Sequence, residues 1–136
     1  MANRWLVKTE PSVYSFQRLQ QERQTVWDGV SNPLALKHLG QMRRGDPVIV
    51  YHTGNEKAAV GIARVVRGAY PDPAQNNPKL VVVDLAAERP LERPVTLAEI
   101  KASPRFDGFE LVRLPRLSVM PVSAAHWSAL EALAKA

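Results

Sequence analysis

The sequence predicts an α+β fold, a mixed and mostly antiparallel β-sheet or small β-barrel decorated by short helices. Three observations lead there. Five or six short segments carry β-prone apolar patterning bounded by turn residues. Three or four helical stretches are short and begin at capping residues. Strands and helices do not alternate in βαβ order, which disfavours a doubly wound parallel sheet. The 136 residues fit a single domain over residues 1–136. A domain of this size buries roughly two thirds of the surface that its unfolded chain exposes, and needs no disulfide or metal staple.

The elements follow in chain order. Arg4 to Lys8 reads as a first strand that ends in the polar turn Thr9-Glu10-Pro11. Ser15 to Glu22 is a short helix with Ser15 as its cap and Phe16 and Leu19 on one face. Thr25-Val26-Trp27 is extended and Asp28-Gly29 turns the chain. Asn32-Pro33 is a helix entry, because proline is tolerated in a first turn that asks no N–H of it. Leu34 to Met42 continues as helix.

Pro47 to His52 is a strand, the loop Gly54-Asn55-Glu56-Lys57 makes a hairpin, and Ala58 to Val66 returns. Pro71 to Pro78 is a loop by composition. Lys79 to Ala86 is a further strand, whose apolar run implies burial on both faces or packing under a helix. Thr96-Leu97-Ala98-Glu99 is a capping box opening a short helix to about Ala102. Leu117 to Met120 is the last strand. Ser123 caps a C-terminal helix with Trp127, Leu130 and Leu133 on its inner side.

Composition narrows the function classes. The chain has no cysteine, which excludes disulfide frameworks, thiol catalysis and cysteine-rich zinc sites. Its opening residues show no apolar h-region and its longest apolar run, Leu80 to Val83, is far too short for a bilayer. A soluble, cytoplasmic protein with no membrane partner is expected. The net charge of +5 favours a polyanionic partner, although plain solubility charge reads the same way.

The residues offer little to catalysis. His38 and His126 fall inside helices, where a solvated histidine is the ordinary reading, and no metal-ligand spacing, P-loop or nucleophile elbow occurs. Neither a cofactor nor a metal is expected. The informative groups are aromatic and polar: Trp5 with Lys8, Trp27 beside Asp28-Gly29-Val30 and Asn32, and Tyr51-His52 at a strand end. Flat rings stack on bases, and asparagine, serine or backbone amides read base edges. Each also has an ordinary structural reading. Trp5 suits a core position, Trp27 could be wall or core, Tyr51-His52 could simply place a hydroxyl in water and a histidine in a turn, and Lys8 could be surface charge. Spacing alone does not bring them together.

Arg4-Trp5-Leu6-Val7-Lys8-Thr9-Glu10-Pro11 resembles the opening of the EVE domain family. So do Thr25 to Asn32, Val50-Tyr51-His52-Thr53, Ala59 to Ala63 with Ala69-Tyr70-Pro71-Asp72, and Arg116 to Val122. The five segments keep the family's order from about Trp5 to Trp127. The resemblance implies a PUA-like β-barrel and a non-catalytic, monomeric reader of a modified, for example methylated, base in DNA or RNA. It also implies partners in restriction-type defence or RNA modification. Carried over by motif, the pocket takes Trp5 and Lys8 from the first segment and Trp27, Gly29, Val30 and Asn32 from the second. Tyr51 and His52 come from the third and Ser118 from the last. Trp27 and Tyr51 would be stacking walls, Asn32 and Ser118 edge readers, and Lys8 and His52 groups at the mouth. Arg43, Arg44, Arg64, Arg67, Arg113 and Arg116 are candidates for backbone contacts. Many relatives carry Arg-Asn-Tyr where this chain has Ser31-Asn32-Pro33, which removes a guanidinium and a ring from that segment.

Two competing readings belong to other classes. A sensor of a free nucleoside-like molecule needs the rings but no basic surface. A hydrolase acting on a modified base needs His52 as general base with a second polar group beside it.

Overall fold

The computed structural model describes residues 3–136. Strand β1 (Trp5–Thr9) is followed by helix α1 (Phe16–Glu22), strand β2 (Gln24–Trp27) and helix α2 (Pro33–Gln41). Strands β3 (Pro47–His52), β4 (Ala58–Pro71) and β5 (Val81–Thr96) form the centre. Helix α3 (Leu97–Ala102), a 3₁₀ turn (Pro104–Phe106), helix α4 (Glu110–Arg113), strand β6 (Val119–Pro121) and helix α5 (Ala124–Lys135) complete the chain.

The strands form one six-stranded sheet in the order β2-β5-β4-β3-β1-β6. Only β1 and β3 run parallel; every other neighbour pair is antiparallel. The mixed, mostly antiparallel sheet with short helices is as expected. The closed barrel is not: among the described residues no ladder joins the edge strand β2 to the edge strand β6, and the sheet is open.

Local chemistry explains most element ends. Ser15, Asn32, Thr96 and Ser123 each accept a backbone N–H from the first turn of the following helix. Pro33 stands in the first turn of α2, where its missing donor costs nothing. Thr96 and Glu99 form the full reciprocal capping box. The core packs Leu6, Leu19, Leu39, Ile49, Ile62, Leu85, Ile100 and Leu130 against the inner face of the sheet. Gly61 is fixed by a close approach: a Cβ there would stand 2.4 Å from the buried Phe16 ring.

The central hairpin is much longer than its sequence suggests. Strand β5 runs on through Pro90 and Pro94, residues that argue against a strand interior. The β4–β5 ladder breaks register near Gly61, opposite Pro90, so the missing proline donor falls at an irregularity. The short helix α4 and the 3₁₀ turn carry too few residues to show a helical period.

Candidate nucleic-acid interface

The open side of the sheet is a cleft of about 630 Å³. One wall comes from β2 and the turn after it, through Thr25 to Asn32. Lys8 and Thr9 of β1 and Ser118, just before β6, supply the other. The segment before α1 and the exposed side of α1 close one end with Val13, Tyr14, Arg18 and Glu22. The cleft therefore occupies the place where a closed barrel would have paired its edges.

Six of the nine residues expected at a pocket meet here: Lys8, Trp27, Gly29, Val30, Asn32 and Ser118. Trp27 lies at the end of β2, opposite Val83, and is only 7% exposed. It is a boundary of the cleft rather than a freely presented platform. Its ring meets Tyr14 edge-on, at 6.1 Å between centroids and 87° between planes. Gly29 has φ of +77°, a conformation L side chains rarely adopt, and nothing stands within 4 Å of where a Cβ would be. Its backbone, not its lack of bulk, is what the turn requires. Val30 packs on the core from the cleft side. Asn32 points its Oδ1 at the N–H of Ala35, 3.0 Å away. Cap and lining residue at once, it keeps its amide NH₂ and one oxygen lone pair for a ligand.

Lys8 is half-buried and its Nζ donates to the carbonyl of Pro115 at 2.8 Å. The same ammonium lies 5.8 Å from the centroid of the Tyr51 ring. Burial lowers its pKa from the usual lysine value. The backbone N–H of Lys8 donates to Ser118 O, which ties the two lining residues together.

The other three expected residues lie elsewhere, for identifiable reasons. Trp5 is core: it is 2% exposed, and its Nε1 donates to the buried Asp46 at 2.9 Å. Tyr51 is 3% exposed, lies beside Lys8 in the neighbouring strand β3 and does not line the cleft. His52 is also buried, and both its ring nitrogens are engaged. The N–H of Phe16 donates to Nε2 at 3.0 Å, and Nδ1 lies 2.9 Å from Glu56. A backbone N–H can only donate, so the ring hydrogen sits on Nδ1 and is given to the carboxylate. His52 links three segments and does not stand at the mouth. The carboxylate that a His52 base would want is present, but the nitrogen that would take a proton is occupied.

The structure adds residues that sequence reasoning missed. Tyr14 donates from its hydroxyl to Glu22 at 2.7 Å, and Arg18 binds the same carboxylate at 3.1 Å while lying 5.1 Å over the Tyr14 ring. Burial is the main cause that raises the Tyr14 phenol above its ordinary range, and the Tyr14 hydroxyl is the main cause that lowers Glu22. In sequence, only Phe16 and Leu19 of α1 are given a face, and Arg18 and Glu22 draw no reading. The i,i+4 spacing of Arg18 and Glu22 was the available signal.

A second hollow, of about 620 Å³, lies between α3 and α4. Its rings are spent on each other: Phe106 stacks on Phe109 and on His126 at 5.9 and 6.0 Å. No helix among the described residues is long and apolar enough to cross a membrane.

Comparison with known proteins places the chain in a family. The EVE domain pattern matches residues 3–133. Human thymocyte nuclear protein 1 is 30% identical over 128 residues, which cover 75% of this chain and 57% of that protein. The chain thus spans little more than half the length of that relative. A protein from Rhodopseudomonas palustris, solved by NMR, has a TM-score of 0.93 at 43% identity and covers 98% of this chain and 94% of its own. Human THYN1 protein, solved in complex with 5-methylcytosine-containing DNA, has a TM-score of 0.90 at 27% identity over 99% of both chains. The pattern match runs through nearly every element described above, and the chain belongs to the EVE domain family.

Proposed function

We propose that this protein binds a modified base, in the first place a methylated cytosine in DNA, in the cleft between β2 and β1, and catalyses no reaction on it. The carrying observation is the convergence of Lys8, Trp27, Val30, Asn32 and Ser118 from distant segments on one cleft of about 630 Å³. A cleft of that volume is at the scale of a small-ligand site. Trp27 and Tyr14 offer apolar ring surface for the base and its methyl group, while Asn32 and Ser118 offer polar groups for its edge. The reading is supported by the DNA complex of the human relative, which shares the whole fold. The opened sheet fits a PUA-like barrel parted between β2 and β6, with the ligand entering at the parting.

The test is the affinity of a short DNA oligonucleotide carrying one 5-methylcytosine, against the same strand with cytosine. The parent should prefer the methylated strand. Trp27→Ala should lose about 1–3 kcal/mol of binding, roughly five- to 150-fold, and most of the preference. Equal affinity for both strands in the parent, with no change in the variant, refutes the reading.

One observation favours a free nucleoside as the ligand instead. Lys8 and Arg18 are the cleft's cations, and Arg18 is already paired with Glu22. A ligand that binds equally well as nucleoside and within an oligonucleotide would support that alternative.

A further inference from the structure

Beyond the cleft, the long β4–β5 hairpin carries a second arrangement built by its irregularities. Val65 stands opposite Leu85, Arg67 opposite Asp84, and Tyr70 opposite Val82. Strand β4 thus spends one extra residue between Val65 and Arg67 and another between Arg67 and Tyr70. In a regular strand residues three apart point to opposite faces. The second bulge cancels that alternation, and Arg67 and Tyr70 meet on one face, with the guanidinium carbon 3.6 Å from the centroid of the ring. The Tyr70 hydroxyl donates to Asp84 at 2.5 Å, which pins the ring from the neighbouring strand. Hydrogen bonding to Asp84 raises the phenol pKa, so the donor keeps its proton.

This group adjoins β2, the strand that forms one wall of the cleft. Asp84 is also opposite Val26 of β2, a cleft-lining residue that is 45% exposed on the outer face. From Val26 across Asp84 to Arg67 is two strand spacings, roughly 10 Å. That is within reach of the nucleotides beside a base held in the cleft. Arg67 is exposed and makes no ion pair within 4 Å among the described residues, whereas neighbouring Arg64 is paired with Glu88. Stacked on a fixed ring, its planar fork is oriented before any ligand arrives, which suits bidentate phosphate recognition.

We propose that Arg67, held on Tyr70, binds the DNA backbone next to the base in the cleft, so that strand position and base identity are read by separate parts of the molecule. This rests on the base-binding reading above, but it fails separately. The experiment measures methylated and unmethylated oligonucleotides against parent, Arg67→Ala, Arg67→Lys and Trp27→Ala over roughly 50 to 200 mM salt. Arg67→Ala should weaken both oligonucleotides about three- to tenfold and leave their affinity ratio unchanged. It should also reduce the slope of log affinity against log salt by about one, the signature of one lost phosphate contact. Arg67→Lys should keep the slope and recover part of the affinity. Arg67 is exposed, so both variants should melt with the parent.

If Arg67→Ala retains the parent's affinity and slope while Trp27→Ala loses binding, the backbone contact is wrong and the cleft stands. A change in the methylation ratio in Arg67→Ala also overturns it, because the residue then acts on the cleft. Should the parent show no methylation preference yet lose slope on Arg67→Ala, the base-binding reading falls and the backbone contact survives.

Discussion

Trp5 and Trp27 stand in adjacent sequence motifs and do different work. The Trp5 indole is the sequestered partner of Asp46, whose Oδ2 also accepts the N–H of Arg43 at 3.0 Å. Replacing Trp5 with Phe removes one of those donors and leaves a buried carboxylate short of a partner. The expected cost is about 1–3 kcal/mol of stability, seen as a lower denaturation midpoint at an unchanged slope. Ligand affinity of the folded fraction should not change. Trp27→Ala should lose affinity in its folded fraction, and because the ring is 7% exposed in the core it should also lose stability, so its binding is read on folded protein. A Trp5→Phe variant that folds like the parent but binds less would move Trp5 back into the site. Sequence favours core for Trp5 at the start of its strand but leaves Trp27, beside the Asp28-Gly29 turn, open between wall and core, because burial there is decided by which face the sheet turns inward. Tyr51 and His52 were misplaced for the same reason: a strand end carries no mark of which neighbours cover it.

At the scale of elements, capping chemistry was the most legible feature, because a cap is satisfied within three residues and needs no tertiary context. Ser15, Thr96 and Ser123 cap as expected, and α2 starts at the expected Asn32-Pro33 entry, with Asn32 as its cap. The box that opens α3 reaches further than its own turn. Glu99 accepts from Thr96 and also from Arg93 near the end of β5, which joins helix to sheet. The Arg93 guanidinium is the main cause that holds the Glu99 carboxyl at about 2, below its ordinary value of 4.5. A depressed carboxyl stabilises the fold above its unfolded pKa and loses that contribution as pH falls. The loss should therefore run from about pH 4.5 down to about pH 2. Glu99→Gln should flatten that part of the stability–pH curve relative to the parent, measured by denaturant unfolding at each pH. Parallel curves would mean that the pair contributes nothing at this partly exposed position. Longer-range features were harder to read. The second half of β5 was hidden by Pro90 and Pro94, and the bulges that re-aim Arg67 leave no trace in composition.

For the molecule as a whole, the sheet's failure to close leaves the cleft. Strand number, order of elements and the mixed architecture follow from patterning, whereas closure depends on whether β2 and β6 can reach one another across β1. They do not, and the gap collects Lys8, Trp27, Asn32 and Ser118. Motif resemblance pointed to residues that meet in this cleft because it compares whole segments, including turns such as Asp28-Gly29. It could not reveal Tyr14 with its Arg18–Glu22 support, a pairing made by the fold. The chain's three tryptophans make the central claim directly observable. Each indole N–H gives its own signal in a two-dimensional ¹H–¹⁵N spectrum, assignable from single Trp→Phe variants. Titration with a 5-methylcytosine oligonucleotide should shift the Trp27 signal progressively while those of Trp5 and Trp127 stay in place. A Trp27 signal that does not move at saturation, with the oligonucleotide bound, would contradict the account.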